Sequence, residues 1–136
     1  MIKILIIILL SFVSQLVFSQ QVFPINYFNP KEDYENIYVK KIETSESSTL
    51  FVIWVKKEVK SHKHVKHKES IYVLAGTGKM TIGEKIFSIK PGDYFVIPEN
   101  TFHSLKVTSK KPIKVLSIQA PEFLGVDRVF ETEVKK

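Results

Sequence analysis

The chain is 136 residues long, 44% hydrophobic and 25% charged, which is one domain's worth of ordinary globular composition and argues against wholesale disorder. It contains no cysteine, so disulfides, zinc ribbons, thiolate nucleophiles and iron–sulfur clusters are excluded together. The formal charge of +6 is carried by lysines, scattered apart from one dense run between Lys56 and Lys68, with Arg128 the only arginine. Lacking the arginine forks that read base edges, this surface is expected to be solvated and to bind no nucleic acid.

Met1-Ile2-Lys3 forms a short positive start, and Ile4 to Leu10 is an unbroken aliphatic run. Ser11, Ser14 and Gln15 then interrupt it, and Val17-Phe18-Ser19 ends on a small residue. This is the layout of a secretory signal peptide, expected over residues 1–19 with cleavage after Ser19. The apolar stretch is short and interrupted for a membrane span, which needs about 20 residues. The expected product is a secreted or periplasmic protein, residues 20–136, with no stable membrane insertion after cleavage. A lipoprotein is excluded, since acylation there requires a cysteine.

Gln20 to Asn36 is a lead-in segment in which Pro24, Pro30 and the asparagines break any regular period. Strands are then predicted at Ile37–Glu43, Leu50–Val55, Ile71–Ala75, Lys79–Ile82, Lys85–Ile89, Asp93–Ile97, His103–Val107 and Ile113–Gln119. Gly83-Glu84 fits a two-residue hairpin loop, Pro91-Gly92 a turn, and Thr44 to Thr49 a polar loop. No stretch carries a helical stripe. Short strands with a turn signal roughly every ten residues suggest an all-β sandwich or barrel, one domain with its core over about 37–120. Phe51 to Val55 and Ile71 to Leu74 are apolar on both faces. One face fills a barrel; the other needs a second sheet or a second subunit, which points to a homodimer.

The four histidines are His62, His64, His67 and His103. Residues two apart on a strand share a face, so His62 and His64 can aim their imidazoles at one point while Lys63 meets water. Glu69 has the parity of the inward residues Ile71 and Val73, and His103 that of Leu105 and Val107. Three imidazoles and one carboxylate suit a divalent first-row metal with two positions open for water or ligand. On spacing alone, a merely hydrated His-rich strip explains the same residues.

The wider pattern resembles the cupin superfamily. Its first motif reads here as His62-x-His64, four residues, Glu69, six residues, Gly76. Its second reads as Gly92, five residues, Pro98-Glu99-Asn100, two residues, His103. Fifteen residues lie between Gly76 and Gly92, similar to the compact spacing of small bacterial members. The pattern is broken at Lys56, where a glycine is usual, at Asn100 for a second glycine, and at Val107 for an asparagine. Asparagine tolerates a left-handed backbone, so the turn at Asn100 is expected to survive.

The resemblance implies a cupin jelly-roll barrel, a double-stranded β-helix, with His62, His64, Glu69 and His103 as metal ligands. The implied cofactor is one divalent transition metal, Mn, Fe, Ni, Zn or Cu. His67 has no place in the pattern and is read as a loop bystander, or as an alternate ligand. Trp54, Tyr94, Phe95 and Phe102 either line a pocket or pack the core. Asp127 and Arg128 are read as a structural pair or edge contact. Two functions follow: a metal-dependent enzyme on an oxygenated small molecule, such as a dioxygenase or isomerase, or a non-catalytic binder of a carbohydrate or carboxylate. A third, a storage-type barrel without metal, is disfavoured by the intact ligand set.

Overall fold

The computed structural model describes residues 21–134. The signal-peptide reading of residues 1–19 lies outside them. After a 3-10 turn, Ile25–Tyr27, come ten strands: β1 Ile37–Ser45, β2 Ser48–Val55, β3 Glu58–His64, β4 Lys68–Ala75, β5 Gly78–Ile82, β6 Lys85–Ile89, β7 Tyr94–Ile97, β8 His103–Val107, β9 Ile113–Ala120 and β10 Arg128–Phe130. A helical turn, α1 (Glu131–Val134), closes the described chain. Two of these strands, β3 and β10, are additional to the eight predicted from alternation.

The strands form two five-stranded antiparallel sheets, ordered β1-β2-β9-β4-β7 and β10-β3-β8-β5-β6. This is the jelly-roll barrel that the motifs imply. Alternation decides what lies between the sheets. The row Val55, Ile113 crosses to Val73 and Val115, while Leu105 pairs with Met80 on the facing sheet. Together with Ile71, Ile89 and Ile97 they make one buried apolar cluster. Each such side chain contributes roughly 1.5–3 kcal/mol on leaving water.

Turn chemistry holds the strands in place. Gly76 has φ +75°, and a Cβ there would meet the Pro112 carbonyl oxygen at 2.7 Å, so no other residue fits without displacement of backbone. Asn100 takes φ 54°, the left-handed turn expected at this departure from the motif, and its N–H donates to the His64 carbonyl at 2.7 Å.

The second apolar face of the first sheet is only partly open. Trp54 and Val52 point away from the barrel interior yet are buried. Tyr38 packs edge-on to Trp54 at 5.6 Å. Beside it Lys114 directs its Nζ at the carbonyls of Ile25, Asn26 and Phe28, at 2.7, 3.1 and 2.9 Å. Burial pulls the Lys114 ammonium below its ordinary pKa, and the three carbonyls stand in for water. The lead-in is thus tied across this end of the sheet, where the sequence suggested a second sheet or subunit. Tyr72, Tyr94 and Val96 on β4 and β7 remain exposed.

Candidate metal centre

The four side chains come from three strands. His62 and His64 lie at the end of β3, Glu69 near the start of β4 and His103 at the start of β8. All four are buried. Strand parity alone does not deliver His62, because Val59 pairs inward with Leu105 and an odd step follows. A bulge between Val59 and His62 absorbs the extra residue, so that His62 meets His103 directly across the ladder. His64 lies opposite Arg128 of β10, and Glu69 opposite Gln119 of β9.

The imidazoles of His62, His64 and His103 each offer a nitrogen within 4.8 Å of the others. Their ring centroids lie 4.3 to 5.6 Å apart. Glu69 Oε2 lies 3.5 Å from His103 Nε2 and 3.9 Å from His64 Nε2. The three sequence-predicted histidines therefore share one small volume, and Glu69 adjoins it beside His64 and His103.

Neighbours orient the ligands. The Nδ1 of His62 lies 2.9 Å from the Lys60 carbonyl, and that of His103 lies 3.0 Å from the Thr101 carbonyl. A carbonyl only accepts, so each Nδ1 carries the proton and each Nε2 presents a lone pair. Glu69 Oε1 accepts from Ser117 Oγ at 2.5 Å and from Gln119 Nε2 at 3.3 Å, which turns Oε2 toward the histidines. This is the outer hydrogen bonding that fixes ligands in metal sites.

Electrostatics agree. Burial, with the neighbouring charges of His103 and Arg128, pulls His62 down to about 4; burial likewise pulls His64 to about 4, against the pull of Glu69. Burial pushes Glu69 up, but His103 beside it, the Ser117 hydroxyl and His64 outweigh that and bring it to about 2. Neutral imidazoles and an ionised carboxylate are the forms that bind a cation. Among the described residues, His64 Nδ1, His103 Nε2 and Gln119 Oε1 are buried without a hydrogen-bond partner. Buried polar atoms rarely stay unpaired. The donor set and these orphaned atoms fit a divalent cation.

His67 is neither a bystander nor turned to this centre. It is buried, its Nδ1 pairs with the Asp127 carboxylate, and its Nε2 lies 2.7 Å from the Glu122 carbonyl. Asp127 also accepts from the N–H groups of Val65 and Lys66, at 3.1 and 3.0 Å from Oδ1. The expected pairing of Asp127 with Arg128 gives way to this clasp, since one carboxylate already receives three donors. A second group of potential ligands, His64, His67 and Asp127, also lies with its ligand atoms within 4.8 Å of one another, but two of its members are spent on each other. Of the four aromatics singled out, Phe95 lines the cavity beside the centre, while Trp54 packs outside the barrel and Tyr94 is exposed.

The cavity measures about 120 Å³. Its walls are largely aliphatic, including Ile37 and Val39 of β1, Ile53 of β2 and Val59 of β3, and its polar lining is the centre with Ser104, Gln119 and Arg128.

The family description that matches, the cupin domain, spans residues 49–119, just over half of the chain. An uncharacterized protein of Methanocaldococcus jannaschii is 35% identical over 66 residues, 48% of this chain and 53% of that protein. A mannose-1-phosphate guanylyltransferase of Salmonella typhimurium is 33% identical over 70 residues, 52% of this chain and 15% of that enzyme. The chain therefore spans about half of the first relative and a small part of the second. Among solved structures, an uncharacterized protein with a double-stranded beta-helix domain from Klebsiella pneumoniae superposes with a TM-score of 0.69 at 18% identity, covering 81% of this chain and 96% of that one. Motifs, barrel and match agree, and the chain belongs to the cupin family.

Proposed function

We propose that this cupin holds one divalent transition metal on His62, His64, Glu69 and His103 and acts there on an oxygenated small molecule, after export to the periplasm or beyond. The observation that supports it is the convergence of three buried imidazoles, with the buried Glu69 carboxylate beside two of them, and ring nitrogens left without a hydrogen-bond partner among the described residues. A bound divalent metal supplies Lewis-acid polarisation of a substrate oxygen, or oxygen activation where the metal is redox-active. The chain's own residues do the rest. The aliphatic walls exclude water from the substrate's apolar part, and Ser117 and Gln119 keep Glu69 from turning away from the histidines.

One observation favours a binder over an enzyme. Beyond the four ligands, Arg128 is the one ionisable residue among those lining the cavity, and a guanidinium is no general base. Chemistry in this site would have to use a ligand, such as Glu69, for proton transfer. The test loads the protein with Mn, Fe, Ni, Zn or Cu in turn, offers hydroxyketones, dicarbonyls and carboxylic acids, and records turnover, oxygen uptake and binding. Metal-dependent turnover marks the enzyme; metal-dependent binding without turnover marks the binder. Binding or turnover undiminished after chelation contradicts the metal-dependent reading.

A further inference from the structure

The lone arginine of the chain stands at the cavity. Arg128 occupies the first position of β10, an edge strand, and pairs across the ladder with His64. Directly opposed residues of an antiparallel pair project to the same face, so Arg128 shares the interior face that His64 uses. It accordingly lines the cavity, although it is exposed. The other lip is β1, the edge of the first sheet, whose Ile37 and Val39 face the interior yet stay exposed to 42% and 49%. The opening therefore runs between an aliphatic edge and a cationic one.

Two facts make this arginine unlike a surface charge. Among the described residues no carboxylate lies within ion-pair distance of it; Asp127, its neighbour in sequence, is consumed by His67 and the Val65 and Lys66 amides. Its backbone is also fixed. The Asp127 clasp anchors the chain one residue before it, and Phe130 pairs with His62 two residues after. A guanidinium is a planar fork that matches a carboxylate through two parallel N–H donors. A fixed arginine with no carboxylate partner among the described residues, at a cavity whose lining away from the four ligands is largely aliphatic, is a receptor for an anion with an apolar body.

We propose that Arg128 is the specificity residue of this cupin, and that its ligand is a short-chain carboxylic acid whose carboxylate docks on the guanidinium while its aliphatic body lies against Ile37, Val39, Ile53 and Val59. The proposal rests on this cavity being the ligand site, but the anchor is separate from the metal ligands. It narrows the substrate class from oxygenated molecules at large to organic acids.

Calorimetric titration of the isolated protein with straight-chain monocarboxylates, from acetate to hexanoate, and with their amides tests it. The expected result is affinity that rises about threefold to fourfold per methylene until the cavity is filled. Each acid should bind about tenfold or more tightly than its amide. Arg128→Gln should level acid and amide while metal content and the apolar dependence stay unchanged, and Arg128→Lys should restore part of the preference. Lys79→Gln, an exposed change of equal charge on β5, should leave the preference intact. Absence of any acid-over-amide preference, or a preference surviving Arg128→Gln, overturns the proposal; the latter places the carboxylate on the metal instead. Preference for acids that depends on Arg128 in protein without metal upholds the anchor and defeats the metal reading alone.

Discussion

A buried imidazole binds a cation only in its neutral form, and the centre keeps two of its histidines neutral by desolvation. His62 and His64 fall from an ordinary 6.5 to about 4. Between those values the unfolded chain takes up more protons than the folded one, so stability falls as pH falls. Glu69 acts in the same direction lower down. Its carboxylate, held at about 2 against an ordinary 4.5, adds stability above pH 4.5 that is lost toward pH 2. The urea midpoint of the metal-free protein should therefore be level above about pH 7 and decline steadily below 6.5. A midpoint constant from pH 7 to about 4 would mean that these imidazoles are not held neutral by the fold. At this scale the grouping of His62, His64, Glu69 and His103 was legible because motif spacing selects all four, while strand parity only relates His62 to His64 and misses the step from Val59. His67 was not. Its partners, Asp127 and Glu122, lie 60 and 55 residues away, and a histidine in a lysine-rich loop carries no periodicity that marks it as buried. In the sequence Arg128 stands out only as half of the Asp127-Arg128 dipeptide; its place at the cavity depends on which strand β10 pairs with, and composition does not specify a pairing.

At the scale of elements, the bulge in β3 and the short strand β10 decide the site. Neither has a signature in alternation. Three residues are too few to show a period, and a bulge looks like a phase error between Val59 and His62. The longer strands and the Gly83-Glu84 hairpin were legible because apolar alternation and turn residues coincide there. The His67–Asp127 clasp joins the loop after β3 to the segment leading into β10. Removing either partner takes one buried hydrogen-bond partner from the other, at a cost of about 1–3 kcal/mol, while Asp127 keeps the Val65 and Lys66 amides and His67 keeps the Glu122 carbonyl. His67→Ala and Asp127→Ala should each speed hydrogen exchange at the Val65 and Lys66 amides and along β10, with little change in β2 and β9 at the far side of the barrel. Exchange that is unchanged at Val65 and Lys66 would mean that the carboxylate is not their acceptor. Loosening β10 also loosens Arg128, so weaker carboxylate binding in these variants should accompany the faster exchange.

For the whole molecule, we propose export of the barrel and its pairing with a second copy. Trp54 and Val52 are already buried, with Lys114 tying the lead-in beside Trp54, which leaves the β4–β7 end, with Tyr72, Tyr94 and Val96, as the apolar surface that a homodimer would bury. Sedimentation should give a dimer that Tyr94→Lys converts to a monomer; a parent that sediments as a monomer contradicts it. Intact mass of protein recovered from outside the cytoplasm should correspond to a chain beginning at Gln20, and a retained residue 1–19 segment would contradict cleavage. The proposed function depends first on the proposed metal. Elemental analysis of the isolated protein beside the His62→Ala/His103→Ala double variant addresses it most directly, with circular dichroism to establish that both are folded. The account predicts about one divalent transition metal per parent chain and little in the variant. Equal, negligible metal in two folded proteins would contradict it.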